Sequence, residues 1–247
     1  MAGLFANIQR KAIGRERRLC TRQCHGKPGN QQELSTRHID LMTEITLRQP
    51  RHGELAAKAD GNPDGKGANG FMLDWYQSAP RGVIAKPQRQ LLAEFFTSML
   101  VLSATFKYRP VAGVPNYLYW INGDWNLSLI APDEWSQERR ENYAGTCVLQ
   151  ADRTWTIAPS ENLAERNPVS DAVRRFYEAF NQMLNTDLTL EEVLPFYVWQ
   201  MPYYQRLSAN ALARSIRSAI VLGDQTAISC RKWQRLLPRL EQMLPND

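Results

Sequence analysis

The sequence predicts an α+β fold: an antiparallel meander of about four strands packed on a long helix, with a C-terminal helical layer. Three observations carry this expectation. Between Gln88 and Thr105, Leu91, Leu92, Phe95, Phe96, Met99, Leu100, Leu102 and Ser103 recur at three- and four-residue steps, the period of a helix. Between Asn116 and Ile130, two short aromatic and apolar runs flank Asn122-Gly123, a pair suited to the positive φ angles of a tight hairpin. From Pro168 onward, apolar stripes at helical spacing return.

The elements follow in order. Residues 1–60 are polar and basic, with weak helical patterning from Leu34 to Leu47, and are expected to be largely flexible. Asp60-Gly61-Asn62-Pro63-Asp64-Gly65-Lys66-Gly67 is dense in turn formers and marks a boundary. Residues 61–160 then form the α+β core, and residues 161–247 a helical part packed on it. The Gln88–Thr105 helix is apolar over more than half its girth, so it should lie across a sheet and be mostly buried. Pro87 suits its first turn. A two-residue Asn122-Gly123 loop pairs Trp120 with Trp125 and Leu118 with Leu127. It gathers Leu118, Trp120, Trp125, Leu127 and Leu129 on one face and turns Tyr117 and Tyr119 to the other. A three-residue loop, Asn122 to Asp124, would flip the register; the two-residue loop is the favoured reading. Tyr143–Gln150 and Thr154–Ala158 make a second hairpin.

The helical part begins with Pro168–Leu184, whose stripe is Val169, Ala172, Val173, Phe176, Phe180 and Leu184. Asn167 or Ser170 can cap its start. Thr189-Leu190-Glu191-Glu192 opens a short helix that Pro195 limits. Another runs from Pro202 through Leu222 and ends at Gly223-Asp224. Ser229–Leu244 reads as a last amphipathic helix, interrupted or kinked near Pro238.

The 247 residues suffice for one large domain, or for one domain with an appendage. Apolar residues make up 43% and charged residues 22%, as in globular chains. No apolar run reaches the roughly 18 residues of a membrane-spanning helix. The N-terminus has no long apolar stretch and reads as a solvated basic tail, with an organelle transit peptide as the alternative. Cys20, Cys24, Cys147 and Cys230 are scattered and are expected to be reduced thiols in a cytoplasmic protein. The net charge is +5. Eight Lys/Arg stand against two Glu between Arg10 and Arg37, and a second basic cluster runs from Arg206 to Arg239. Such clusters attract nucleic acid, acidic membrane or acidic proteins, or simply form solvated faces.

The Pro132-Asp133-Glu134-Trp135 turn can serve a ligand, with Glu134 accepting hydrogen bonds and Trp135 stacking. In the favoured structural reading, a carboxylate of this turn satisfies backbone N–H groups and Trp135 plugs the sheet end. Glu134 and Asp152 would make an acid–base pair if brought together, although Ala151-Asp152-Arg153 reads first as a turn. Cys20-x-x-x-Cys24-His25, with His38 or His52, is too irregular to predict a metal site. Cys147 sits in a strand and reads as packed. Asp64–Gly70 is glycine-rich but departs from a P-loop and reads as a linker. Between Pro195 and Arg206 lie Phe196, Tyr197, Trp199, Tyr203 and Tyr204, residue types found at interface centres. Tyr117, Tyr119, Glu134, Trp135, Asp152, Trp199, Tyr203, Tyr204 and Arg206 are therefore the candidate binding residues. The leading expectation is a non-catalytic module that binds a protein partner. RNA or single-stranded DNA binding through basic and aromatic surfaces is the alternative, and an enzyme using Glu134 and Asp152 comes third. Nothing calls for a cofactor, and the oligomeric state is open.

Tyr117-Leu118-Tyr119, Leu127-Ser128-Leu129-Ile130-Ala131-Pro132-Asp133-Glu134-Trp135 and Leu149-Gln150-Ala151-Asp152-Arg153-Thr154-Trp155-Thr156 stand in order. Together they resemble the family catalogued as domain of unknown function 2452: an aromatic-Leu-Tyr strand, a Ser-Leu-Ile-x-Pro-x-Glu-Trp turn and a Leu-x-x-Asp-x-x-Trp strand. The resemblance covers about residues 100–158. Ser136 departs from it, standing where the pattern has glycine. It implies a shared domain, without an activity, cofactor or catalytic residue.

Overall fold

The computed structural model describes residues 67–164, 166–195 and 201–240. Those from Asp74 onward belong to one compact unit. The basic segment 1–60, its cysteines and histidines, and Trp199 lie outside the described residues.

The first described helix, α1, spans Gly67–Gln77, so the end of the glycine-rich run read as a linker is helical. Helix α2 spans Gln88–Leu102, with Pro87 just before it as the cap residue rather than within its first turn. Leu91, Leu92, Phe95, Phe96, Met99 and Leu100 are all buried, as its wide apolar girth predicts.

Strands β1 (Pro115–Ile121) and β2 (Asp124–Ser128) pair Trp120 with Trp125 and Leu118 with Leu127. Asn122 and Gly123 both have positive φ, 53° and 83°, so the two-residue turn is the one formed. Leu118, Trp125 and Leu127 are buried together, and Trp120 is half-buried with its ring 4.9 Å from that of Trp125. Leu129 is not with them. The strand stops at Ser128, whose hydroxyl accepts the Ile130 N–H, and Leu129 is 56% exposed.

Strands β3 (Tyr143–Leu149) and β4 (Trp155–Pro159) form the second hairpin. All pairings are antiparallel, but the order is β2-β1-β3-β4, so the expected meander is corrected to two hairpins joined through β1 and β3. The cause lies at the outer edge of β2. There Thr105, just beyond α2, donates its N–H to Trp125 O (2.8 Å) and accepts from Leu127 N (3.2 Å). With that edge taken, the connection through a 3-10 turn (Pro132–Glu134) and α3 (Gln137–Arg140) returns β3 to the side of β1. Between β1 and β3, Leu118 faces Gly145 and Tyr119 faces Tyr143, so Ala144 is an extra, bulged residue. At the other sheet edge the Ser98 hydroxyl accepts the Trp155 N–H (2.9 Å), tying β4 to α2.

Helix α4 (Pro168–Met183) begins with a reciprocal cap: Asn167 Oδ1 accepts Ser170 N–H, and Ser170 Oγ accepts Asn167 N–H. Its Phe176 and Phe180 meet Phe95 and Phe96 of α2 edge-on, with centroids 5.4–5.7 Å apart. Helices α5 (Leu190–Val193) and α6 (Tyr203–Leu222) follow where the sequence places them. Helix α7 spans Cys230–Gln234. The expected interruption near Pro238 is present: Arg235-Leu236 turns, since a residue before proline disfavours helical geometry, and Leu240 is helical again, with residues 241–247 outside the described ones. Among the described residues no helix is long and apolar enough to cross a membrane.

Candidate functional site

The sheet presents α2 and α4 with one face. Tyr117 lies at the middle of the other, between Ser128 on β2 and Thr146 on β3. It is half-buried, and its ring is 6.4 Å from that of Tyr143. Tyr119 points the same way yet is only 1% exposed, because the chain leaving β2 folds back across it. Its hydroxyl donates to Ile130 O (3.0 Å), and its ring meets Trp135 edge-on at 6.5 Å and Tyr143 at 5.5 Å. Burial, with Tyr143 and Tyr117 beside it, pushes the Tyr119 phenol well above its ordinary pKa. Burial does the same to Tyr143. Trp135 is half-buried, and Arg139 lies over its outer side with Cζ 3.9 Å from the ring centroid. Glu134 is exposed, and its Oε1 accepts the Ala131 N–H (3.1 Å), closing the 3-10 turn. Tyr117, Tyr143, Tyr119 and Trp135 thus form a chain of ring contacts along this face, with Arg139 over Trp135 and Glu134 closing the turn before it.

Asp152 is held by different groups. In the β3–β4 turn its Oδ1 accepts from Thr154 N–H (3.0 Å) and Oγ1 (2.7 Å), the expected turn role. Its Oδ2 lies 2.6 Å from Lys86 Nζ, which also pairs with Glu94 of α2. All three side chains are largely buried. Burial alone pushes the Asp152 carboxyl up, but the hydrogen bonds from Lys86 and Thr154 prevail and hold it below its ordinary value. Burial likewise pulls Lys86 down, and its hydrogen bonds to Asp152 and Glu94 carry it above its ordinary value. The two carboxylates proposed as an acid–base pair are therefore engaged separately, Glu134 by its own turn and Asp152 by a buried lysine.

The start of α6 divides the remaining candidates. Tyr203 is 6% exposed, and its hydroxyl donates to Asp74 Oδ2 (2.9 Å). Arg206 is 3% exposed, with Cζ 5.8 Å from the Tyr203 ring. Both hold the helix start in the interior, whereas Tyr204 faces a small cleft that Arg109 and Arg153 also line. Sequence reasoning missed Lys86, Arg109 and Arg153. One signal was present for Arg153: it occupies the hairpin-turn position that favours glycine, and its φ is 70°.

These features define an α+β domain with an aromatic sheet face and a buried ion cluster. Residues 88–179, from the first residue of α2 into α4, match the family described as "Protein of unknown function (DUF2452)". The resemblance carried by the strand motifs therefore holds, and it reaches beyond them in both directions. Ser136, the departure from the pattern, has φ −59°, which needs no glycine. No curated protein and no solved structure matches the chain.

Proposed function

We propose that the protein is a non-catalytic interaction module that binds another protein through the aromatic face of its sheet. The observation behind this reading is the half-exposed Tyr117 on that face beside Tyr143, with Tyr119 linking Tyr143 to Trp135 and its Arg139 guanidinium. Rigid aromatics and arginine on a preformed strand surface lose little conformational entropy on binding, which is why they anchor interfaces. A cytoplasmic location belongs to the same reading: Cys147 and Cys230 are free thiols, the state a reducing compartment maintains.

The test is purification of the full-length protein from its own host at moderate salt, beside the Tyr117→Ala variant. The expected result is a normal 260/280 nm absorbance ratio, a stoichiometric protein partner, and loss of that partner in the variant with its unfolding midpoint retained. A raised ratio that collapses with nuclease or high salt would favour the nucleic-acid alternative, since phosphate contacts are strongly salt-dependent. A partner retained by Tyr117→Ala would remove this face from the interface.

A further inference from the structure

The cleft beside Tyr204 carries two arginines. Arg109, Arg153, Tyr204 and Ser208 line it. Arg109 lies 3.6 Å from Asp74 and donates through Nη1 to the Gln77 side chain. Arg153 donates through Nε to Ala79 O and through Nη2 to Gln77 O. A guanidinium carries five donors, so each arginine keeps amino groups with no recorded acceptor among the described residues. Burial lowers the Arg153 pKa, and the neighbouring Arg109 and Arg81 lower it further. Two guanidinium groups thus line the cleft, with the Asp74 carboxylate beside Arg109.

We infer that this cleft binds the dianionic phosphate group of a small molecule. Size and donor number select the group. The cleft holds about 30 Å³, and one water needs roughly 10–15 Å³, so it takes a compact head group and leaves the rest of a larger ligand outside. A phosphate monoester carries about −1.5 to −2 charge at neutral pH on three terminal oxygens, enough acceptors for both arginines and the two hydroxyls, whereas a carboxylate has two oxygens and one charge. Planar guanidinium forks suit phosphate oxygens, and the Tyr204 and Ser208 hydroxyls add neutral donors at the wall. Arg153 keeps a left-handed backbone where glycine costs nothing, and places its charge in the cleft.

Calorimetric titration of the full-length protein with inorganic phosphate at constant ionic strength tests this, with sodium chloride and acetate as controls. Saturable binding is expected for phosphate and not for acetate. It should strengthen with rising pH as the dianion forms, which for a phosphate ester happens near about pH 6 and for the free ion at higher pH. Arg109→Gln should weaken it about tenfold or more. Ser208→Asp, which places a carboxylate in the cleft, should abolish it while the unfolding midpoint is kept; this variant serves even where Arg109→Gln folds poorly. Glycerol phosphate distinguishes the sources: equal binding assigns the cleft to a terminal phosphate group, and its exclusion assigns it to the free ion. Absence of saturable binding, equal binding of acetate, or unchanged affinity in a folded Ser208→Asp protein would each overturn the inference.

Discussion

A Cβ added at Gly145 would lie 2.5 Å from the Ala158 carbonyl oxygen and 3.1 Å from Pro159 Cα. These are backbone atoms of the paired strand and cannot swing away. The bulge at Ala144 brings β3 and β4 together at this point, so glycine is required here for space. Gly145→Ala should therefore lose about 1–3 kcal/mol of stability, the cost of overpacking, read as a lower urea midpoint. Gly123 offers the contrast. Its added Cβ meets nothing within 4 Å, but its φ is 83°, so Gly123→Ala should lose about 1–2 kcal/mol from backbone strain alone. A Gly145→Ala protein as stable as the wild type would mean that β3 and β4 can separate locally. Of the two glycines, Gly123 was legible because Asn-Gly is a local turn signal. Gly145 was not, because its reason sits on another strand.

At the scale of elements, the sequence showed what is decided locally. The α2 and α4 stripes, the two-residue β1–β2 turn and the Asn167 and Ser170 cap were readable because each depends on residues within a turn of one another. The cap supports its own prediction. Asn167 and Ser170 satisfy each other's backbone N–H groups, so Asn167→Ala should cost about 1 kcal/mol. The double variant with Ser170→Ala should cost less than the two single changes added, since either one breaks the shared motif. Full additivity in urea unfolding would mean that the two bonds act independently. The strand order escaped sequence reasoning because the apolar alternation of β2 does not say which edge Thr105 will take. The candidate site was legible in part. Tyr117 and Tyr119 reach the sheet face expected of them and Trp135 packs on Tyr119, whereas Tyr203 and Arg206 are interior because Asp74, about 130 residues earlier, pairs with Tyr203. Lys86 and Arg109 gave no sequence signal, since their partners are likewise distant in the chain.

For the whole molecule, the Lys86 cluster joins three parts of the chain: the segment before α2, α2 itself through Glu94, and the β3–β4 turn through Asp152. Lys86→Met leaves two largely buried carboxylates without their cation, a change that typically costs about 3–5 kcal/mol. The pH dependence identifies the cause. The Asp152 carboxyl sits below its ordinary 3.8 in the folded chain. The stability it contributes is thus present above pH 3.8 and is lost as pH falls through the folded value. Lys86 sits above its ordinary 10.5, so its contribution is present below pH 10.5 and is lost as pH rises through the folded value. Between these limits Lys86 and Asp152 are both charged. The alkaline side is complicated by Cys230, whose thiol burial pushes up from 9.0 to about 12, so the fold loses stability to that group once pH exceeds 9.0. The acid side is the cleaner measurement. Urea unfolding of wild type and Lys86→Met across acid and neutral pH should show the full difference near neutrality and a shrinking one on the acid side, from where Asp152 of the folded variant, without its cation, takes up its proton down to where wild-type Asp152 does. A difference that stays constant through that range would mean that Lys86 stabilises the fold by packing its stem rather than by holding Asp152 ionised.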